Sequence, residues 1–257
     1  SYSQIATITS AATLGSTTNA LATGVYSTFD YGSTVNVNLL SGTLSSSTEL
    51  GVLNGDNAMM IGSELIQFVT ATLESDGTYT LSALLRGRKG TEWAMGDHVI
   101  GEDATLIDTT IVRPAATLNV ERQYKAVSIG NFLADTDARN ITYTGLNLKP
   151  FATLQVEGAR DSTDDLVIDW IPRSRFDTAP LWSPIVGEDS EEYEIDIYTD
   201  GTYATIARAI TGLTSPTYTY SSADQVTDFG SAQATVYAKI YQKSATIGRG
   251  YATTEAL

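Results

Sequence analysis

Short alternations of apolar and polar residues limit the fold of this sequence more than any other feature. The clearest example is a pair of β-rich segments, residues 64–73 and 78–85, joined through Asp76-Gly77. Asp-Gly between alternating segments favours a β-hairpin, because a turn with positive φ matches the twist of the strands. No long segment of the 257 residues has a helical period of 3.6. The chain is therefore predicted to be all-β, with short helices only.

A change in pattern near Lys149-Pro150-Phe151 predicts two domains. Past this point the alternation restarts, with a strand that carries Trp170 near its end and a later strand around residues 193–197. A strand with a core Trp followed by such a strand is the layout of a fibronectin-III-like sandwich. We therefore predict an irregular β-domain over residues 1–150 and a fibronectin-III-like β-sandwich over residues 151–257.

Smaller elements are predicted from turn and capping residues. Residues 45–55 are expected to form a short helix ended by Asn54-Gly55, and residues 221–229 a second one capped by Ser221. Residues 98–101 and 104–108 are predicted as strands, whereas residues 131–147 are predicted as a loop.

Composition excludes several classes of function. The chain has no cysteine, which excludes disulfides, thiolate metal sites and cysteine nucleophiles. Its net charge of −15 disfavours nucleic acid and anionic membranes as partners. No apolar run approaches the roughly 18 to 20 residues of a membrane-spanning helix. The start at Ser1, with neither an initiator Met nor a basic leader, is expected of a fragment or a processed chain.

Neither a catalytic residue nor a metal ligand or cofactor site is predicted. His98 is the single histidine, and no Gly-x-Ser-x-Gly motif supplies a nucleophile for it. We interpret it as a hydrogen-bonded structural residue in a strand. Carboxylates concentrate between Asp161 and Asp200, and those of Glu192, Glu194 and Asp196 share one face of a predicted strand. They are interpreted as a solvated face, although a calcium ion on an acidic loop stays open.

A basic corner at residues 86–90 supplies the first candidate binding residues. It holds the first three basic side chains of the chain, flanked by Gly87 and Gly90, which are expected to adopt positive φ. The corner is either a ligand contact or a locked turn, in which Arg86 or Arg88 pairs with a carboxylate, Glu92 being nearest in sequence, and lies against Trp93. Exposed aromatic residues add further candidates as sugar-stacking platforms or contact surfaces. The full set is Arg86, Arg88, Lys89, Trp93, Trp182, Tyr218 and Tyr220; Trp170 is assigned to the core.

Several segments, taken in order, resemble a known family. Residues 84–93 (LLRGRKGTEW) are similar to a segment of the large tail-tip hub proteins of gene transfer agents and related long-tailed phages, with Lys89 where Arg is commoner. The other matching segments are VNVNLLSG (35–42), NAMMIGSELIQF (57–68), LKPF (148–151), WIPRSR (170–175), PTYTY (216–220) and DFG (228–230). Because the family proteins are much longer, the chain resembles their C-terminal part.

The resemblance implies a non-enzymatic structural role at the tail tip, or baseplate hub, of the virion. It implies tail assembly and host-surface engagement, other tail proteins as partners, a homotrimer in the assembled tail, and a glycan or protein of the host surface as a target. It supplies no catalytic residue. The alternative function is a secreted carbohydrate-binding or adhesin module; a glycan hydrolase is a weaker third hypothesis.

Overall fold

The computed structural model describes residues 1–175, 188 and 190–257. Among these residues nearly all regular structure is β, and the prediction of an all-β fold is confirmed. Contacts divide the chain into two units, Ser1–Ala115 and Ala116–Leu257. None of the helices in the described ranges has the length and apolar composition needed to cross a membrane.

The first unit is a closed antiparallel barrel in the order β1-β2-β5-β4-β3-β6. Its strands are β1 (Leu14–Thr17), β2 (Val35–Ser41), β3 (Ala58–Ile61), β4 (Glu64–Leu73), β5 (Tyr79–Leu85) and β6 (Asp103–Leu106). Pairing of β1 with β6, Gly15 opposite Ala104, closes the barrel. Closure leaves the barrel without an open sheet edge.

Alternation along the strands builds the barrel core, as the sequence predicts. Val35 and Val37 are fully buried on β2, and the partly exposed Asn36 lies between them. The predicted hairpin joins β4 and β5, with Leu73 opposite Tyr79. The remaining core side chains come from strands β3 to β6, together with two side chains from the connecting segments: Leu21, Leu44, Met59, Ile61, Ile66, Phe68, Tyr79, Leu81, Leu84 and Ala104.

A short helix, α1 (Glu49–Leu53), connects β2 to β3 where the sequence predicts it. The Thr48 side chain accepts a hydrogen bond from the Gly51 N–H and caps its first turn, and Asn54 ends it. The predicted strand at residues 98–101 is wrong. These residues form a turn that brings Gly101 to a φ of 89°, and β6 begins only at Asp103.

The second unit contains the predicted sandwich. One sheet has three strands in the order β13-β10-β9, and the other has four in the order β12-β11-β14-β15. Its strands are β9 (Leu154–Arg160), β10 (Leu166–Ile171), β11 (Tyr193–Tyr198), β12 (Ile206–Leu213), β13 (Thr217–Tyr220), β14 (Tyr237–Ser244) and β15 (Gly248–Ala256). Trp170 is buried in its core and meets the Tyr193 ring edge-on at 5.2 Å. Two antiparallel sheets that share one core form a β-sandwich, as predicted, and its fibronectin-III-like character stays a prediction.

A helix and a hairpin complete the second unit. The helix α2 (Ser222–Phe229) is capped by the Ser221 side chain, which accepts a hydrogen bond from the Asp224 N–H. The hairpin pairs β7 (Glu121–Tyr124) with β8 (Arg139–Thr142). Strand β8 lies inside the segment predicted as a loop. All four of its residues are exposed, so the sequence lacks the alternation that burial of one face imposes.

The contact-defined units divide earlier than the predicted boundary near residue 150. Residues 116–150 group with the sandwich. At the end of this segment, the Tyr251 N–H donates to the Pro150 carbonyl at 3.0 Å. A side chain added at Gly145 would lie 2.7 Å from the side chains of both Leu118 and Ile247. This packing ties the segment to β15 and its preceding turn.

Candidate functional site

The basic corner of the barrel unit adopts the backbone that its glycines predict. Gly87 has a φ of 60° and Gly90 one of 83°, and Lys89 between them is also left-handed at 55°. A Cβ atom at Gly87 would lie 2.7 Å from Glu92 Cγ and 3.0 Å from Glu92 Cα. Glycine is therefore required at position 87 both by its φ and by the close approach of Glu92.

Arg86 is buried and paired with a carboxylate on a neighbouring strand. Its Nε and Nη2 atoms donate to the two oxygens of Glu64, each at 2.8 Å. Its Nη1 donates to the Ala22 carbonyl at 3.0 Å. A carboxylate partner was predicted, but for Arg86 the predicted partner Glu92 is wrong. The register of β4 and β5, with Gln67 opposite Leu85, instead brings Glu64 beside the start of the corner.

His98 joins the same cluster and links it to a second carboxylate. Its Nε2 lies 2.7 Å from Glu64 Oε2, and its Nδ1 lies 2.7 Å from Glu102 Oε2. Ionised carboxylates only accept hydrogen bonds, so both ring nitrogens donate and the ring carries a positive charge. We call Glu64, Arg86, His98 and Glu102 the Glu64 network. With two carboxylates and two cations, its charges sum to zero.

The network shifts the pKa values of its members in opposite directions. The hydrogen bond to Glu64 raises the pKa of His98; burial opposes it, and Glu102 adds to the rise. Burial alone would raise the pKa of Glu64, but hydrogen bonds from His98, Arg86 and the Gly87 N–H together outweigh burial and lower it. Both pKa shifts therefore favour the charged form of the group.

Contacts of the network reach several chain segments of the barrel unit. Arg86 binds the segment between β1 and β2 through Ala22, next to the core residue Leu21. Farther along that segment, Asp30 exchanges two backbone hydrogen bonds with Leu84, at 2.7 and 2.9 Å. Glu102 is tied back to β1, since its N–H donates to Thr17 Oγ1 at 3.1 Å. The network thus holds the β1–β2 connection, the hairpin and the turn before β6 together.

The geometry favours a structural role for His98 over general-base catalysis. A general base needs a nitrogen lone pair that faces a substrate proton. Both nitrogens of His98 face carboxylates instead, and the residue is only 6% exposed. The ring is therefore set up to bridge two acids, in agreement with its interpretation as a hydrogen-bonded residue.

The other candidate residues of the corner lie nearer to the surface. Arg88 is partly buried and donates from Nε to Gln67 Oε1 at 2.8 Å. Lys89 is exposed, and Trp93 is 49% exposed. The predicted contact between an arginine and Trp93 stays a prediction. The corner therefore has Lys89 and Trp93 at its surface and Arg86 in its interior.

Two of the aromatic candidates, Tyr218 and Tyr220, lie on strand β13 of the second unit. Tyr220 is fully buried, and its hydroxyl donates to Asp228 Oδ2 at 2.6 Å. Its interpretation as an exposed platform is wrong, because it lies on the face of β13 that meets the sandwich core. Tyr218 is partly buried and packs against the same core. Trp182 lies outside the described residues.

The acidic face of β11 is paired and not solvated. Arg249 donates from Nε to Glu194 at 2.6 Å and from Nη1 to Asp196 at 2.5 Å. Lys243 binds Glu192 at 2.7 Å and Glu194 at 2.9 Å. The prediction of a solvated face is wrong, because β14 and β15 bring two basic residues over it. Over the described ranges, no group of three or more His, Cys, Asp or Glu residues could hold a metal ion.

Sequence reasoning missed Glu64 and Glu102 as parts of the central cluster. A carboxylate at the first position of an otherwise apolar strand is the available signal for Glu64. Burial at that position predicts a cationic partner, since an unpaired buried carboxylate is costly.

Comparisons with known proteins give a family match over the barrel unit. The family model described as Rcc01698-like, C-terminal, matches residues 12–105, a range that covers nearly the whole barrel. No curated protein sequence matches the chain. Among solved structures, domains d3–d4 of the rat CD45 extracellular region match 59% of this chain and 69% of theirs, with 12% identity and a TM-score of 0.30, a likeness too low to bear on function. The barrel unit is thus similar to the C-terminal domain of Rcc01698-like proteins, a family associated with gene transfer agents and phages.

Proposed function

We propose that the chain is a non-enzymatic structural component of the tail tip, or baseplate hub, of a phage or gene transfer agent. In this role it takes part in tail assembly and in engagement of the host surface. The observation that carries the proposal is the match of residues 12–105 to the Rcc01698-like C-terminal domain. The match begins just before β1 and ends inside β6, so it covers nearly the whole barrel rather than a scattered motif.

The state of the charged side chains supports a structural role. Three buried charged side chains of the barrel, Glu64, Arg86 and His98, are engaged with each other in the Glu64 network. In the sandwich, the Arg208 guanidinium binds Asp228 at 2.6 Å and Asp224 at 2.9 Å. Catalytic groups need an unengaged lone pair or proton directed at a substrate. The described ion clusters instead fix one chain segment against another.

The surface of the barrel unit supports a role in assembly. Large apolar side chains are exposed on it at Leu40 (84%), Leu50 (68%) and Leu73 (61%). Large exposed apolar side chains are candidates for contact surfaces. The described strands and helix of the sandwich expose theirs less, since Ile171, Ile206 and Val226 are 46%, 47% and 49% exposed. We therefore assign most tail contacts to the barrel, with other tail proteins and two further copies as partners, and place the sandwich toward solvent and a host glycan or protein.

Labelling of intact particles tests this proposal. Antibodies raised against the purified chain are sorted by epitope into barrel binders and sandwich binders, and both are imaged on particles by electron microscopy. We expect sandwich binders at the tail tip and little labelling by barrel binders. Labelling along the tail shaft or on the capsid contradicts the tail-tip role. The role is also contradicted if particles shown to contain the chain carry no label. Selective binding of the isolated chain to one glycan, with no label on particles, would support the adhesin alternative.

A further inference from the structure

Residues 4–9 of the barrel unit form a strand-prone segment that pairs with no strand among the described residues. The sequence Gln4-Ile-Ala-Thr-Ile-Thr9 has no charge, proline or glycine. All six residues are exposed, with Ile5 at 61% and Ile8 at 67%. A six-residue segment with high β-propensity and no charge is suited to pair with an exposed strand edge. The closed barrel offers it no such edge.

Strand β12 of the second unit is an open edge of the kind that this segment needs. It ends the four-stranded sheet and spans eight residues, Ile206–Leu213. Within the described ranges, its only backbone hydrogen bonds are those to β11. Arg208, its one charged residue, is tied to Asp228 and Asp224. The strand shifts its register against β11 at two points and Gly212 has a φ of 72°, so the regular part of the edge is residues 208–210. A strand edge with little charge is a template for pairing with another chain.

The other three edges of the sandwich are protected. Strand β9 carries Glu157 and Arg160 within its seven residues, and charged side chains oppose edge pairing. Strand β13 has only four residues. Strand β15 is flanked by residues 150–153, since the Thr253 hydroxyl donates to the Thr153 carbonyl at 2.7 Å. Among the described strands, β12 is thus the edge best able to accept a partner.

We propose that residues 4–9 of one copy add as a fifth strand to the four-stranded sheet of a second copy, alongside β12. A donor segment and an acceptor edge on the same chain make a head-to-tail contact, which builds a ring when its rotation closes. The contact removes the exposed isoleucines from water and satisfies the outer backbone groups of β12. This inference does not depend on the tail-tip assignment, since it concerns only contacts between copies.

Disulfide trapping tests the pairing, because the chain has no cysteine of its own. One differently tagged copy carries Thr7→Cys and the other carries Ala209→Cys on β12, and the mixture is oxidised gently. The matched control replaces Ala209→Cys with Ala159→Cys, the same substitution at an exposed position on the edge strand β9. We expect the Thr7–Ala209 heterodimer as the major product and only background for the pair with Ala159. Equal yields of the two products overturn the proposal.

A second measurement does not depend on strand register. A synthetic peptide of residues 1–11 is added to the full chain, and hydrogen exchange of residues 206–213 is followed by mass spectrometry. Protection should rise with peptide concentration for β12 and not for β9. It should be lost when the peptide carries Ile5→Asp and Ile8→Asp, because charges oppose edge pairing. Unchanged exchange of β12, or protection by both peptides alike, refutes the proposal.

Discussion

Substitution of Glu64 by glutamine should destabilise the barrel strongly without changing its shape. The Glu64 carboxylate accepts four hydrogen bonds: two from Arg86 at 2.8 Å, one from the Gly87 N–H at 2.7 Å and one from His98 at 2.7 Å. The side chains of Glu64 and Arg86 are both 0% exposed. Glutamine has similar size, but it removes the charge and turns an amide N–H toward other donors.

The magnitude follows from what the substitution leaves behind. Arg86 would stay charged in the interior without its paired carboxylate and with only the charge of nearby Asp30 to oppose its own, and His98 would keep only Glu102. Breaking a buried ion pair by removing one partner costs about 3–5 kcal/mol. Since every 1.4 kcal/mol is a factor of ten, the barrel should open between about 150-fold and 5,000-fold more often.

Hydrogen exchange measured by mass spectrometry can resolve the two units, whereas a single melting curve mixes them. Amides of β4 and β5 should exchange faster by the stated factor, and those of β14 should not change. The matched control is Glu192→Gln, whose carboxylate pairs with Lys243 at a partly exposed site. That change should cost no more than about 1 kcal/mol. Equal effects of the two substitutions would refute the assignment of a stabilising role to the Glu64 network.

Three further predictions concern strain, pH and self-association. Gly87→Ala should destabilise the barrel by about 1–3 kcal/mol, because Gly87 has a φ of 60° and Glu92 lies close to it. The cost should exceed that of Gly77→Ala, where φ is 87° but no atom lies within 4 Å of the added Cβ. Equal barrel stabilities of the two variants by hydrogen exchange would count against the close approach. The raised pKa of His98 gives stability that is fully present below pH 6.5, its ordinary pKa, and is lost as pH rises through the pKa of the folded state. The lowered pKa of Glu64 gives stability that is present above pH 4.5 and is lost as pH falls through the pKa of the folded state. Barrel protection, corrected for intrinsic exchange rates, should therefore be highest between these limits, and His98→Gln should remove the alkaline decline; a wild-type decline that persists in that variant contradicts the prediction. The isolated chain should sediment as a monomer or associate weakly, because one short strand supplies the proposed contact, and a tight trimer at micromolar concentration would contradict this.

Local patterns predicted most strands because burial of one face leaves a record in the sequence. The β4–β5 hairpin, α1 and the Trp170 strand were each predicted from residues within a few positions of one another. The same rule explains the failure at β8, where no face is buried. Its pairing with β7 depends on backbone hydrogen bonds that any residue type can make.

The candidate site was only partly predictable because it depends on which strands become neighbours. Arg86 and the glycines that follow it were found from the sequence, but Glu64 lies 22 residues before Arg86 and 34 residues before His98. The paired face of β11 escaped prediction for the same reason, since its partners Lys243 and Arg249 lie on later strands. A row of like charges in the sequence predicts an exposed face, because the sequence does not show which cations will pair with it.

Closure of the barrel through β1 and β6 has a consequence for the rate at which the protein unfolds. The strands that meet there are far apart in the sequence, with Ser16 opposite Asp103. Such a contact forms late, because a long loop must close before the contact gains any stabilisation.

The Glu64–His98 contact spans 34 residues and lies near the pairing of β1 with β6. Interactions that form after the folding transition state act mainly on the unfolding rate. We therefore expect changes at Glu64 to shorten the lifetime of the folded barrel while leaving its refolding rate nearly unchanged.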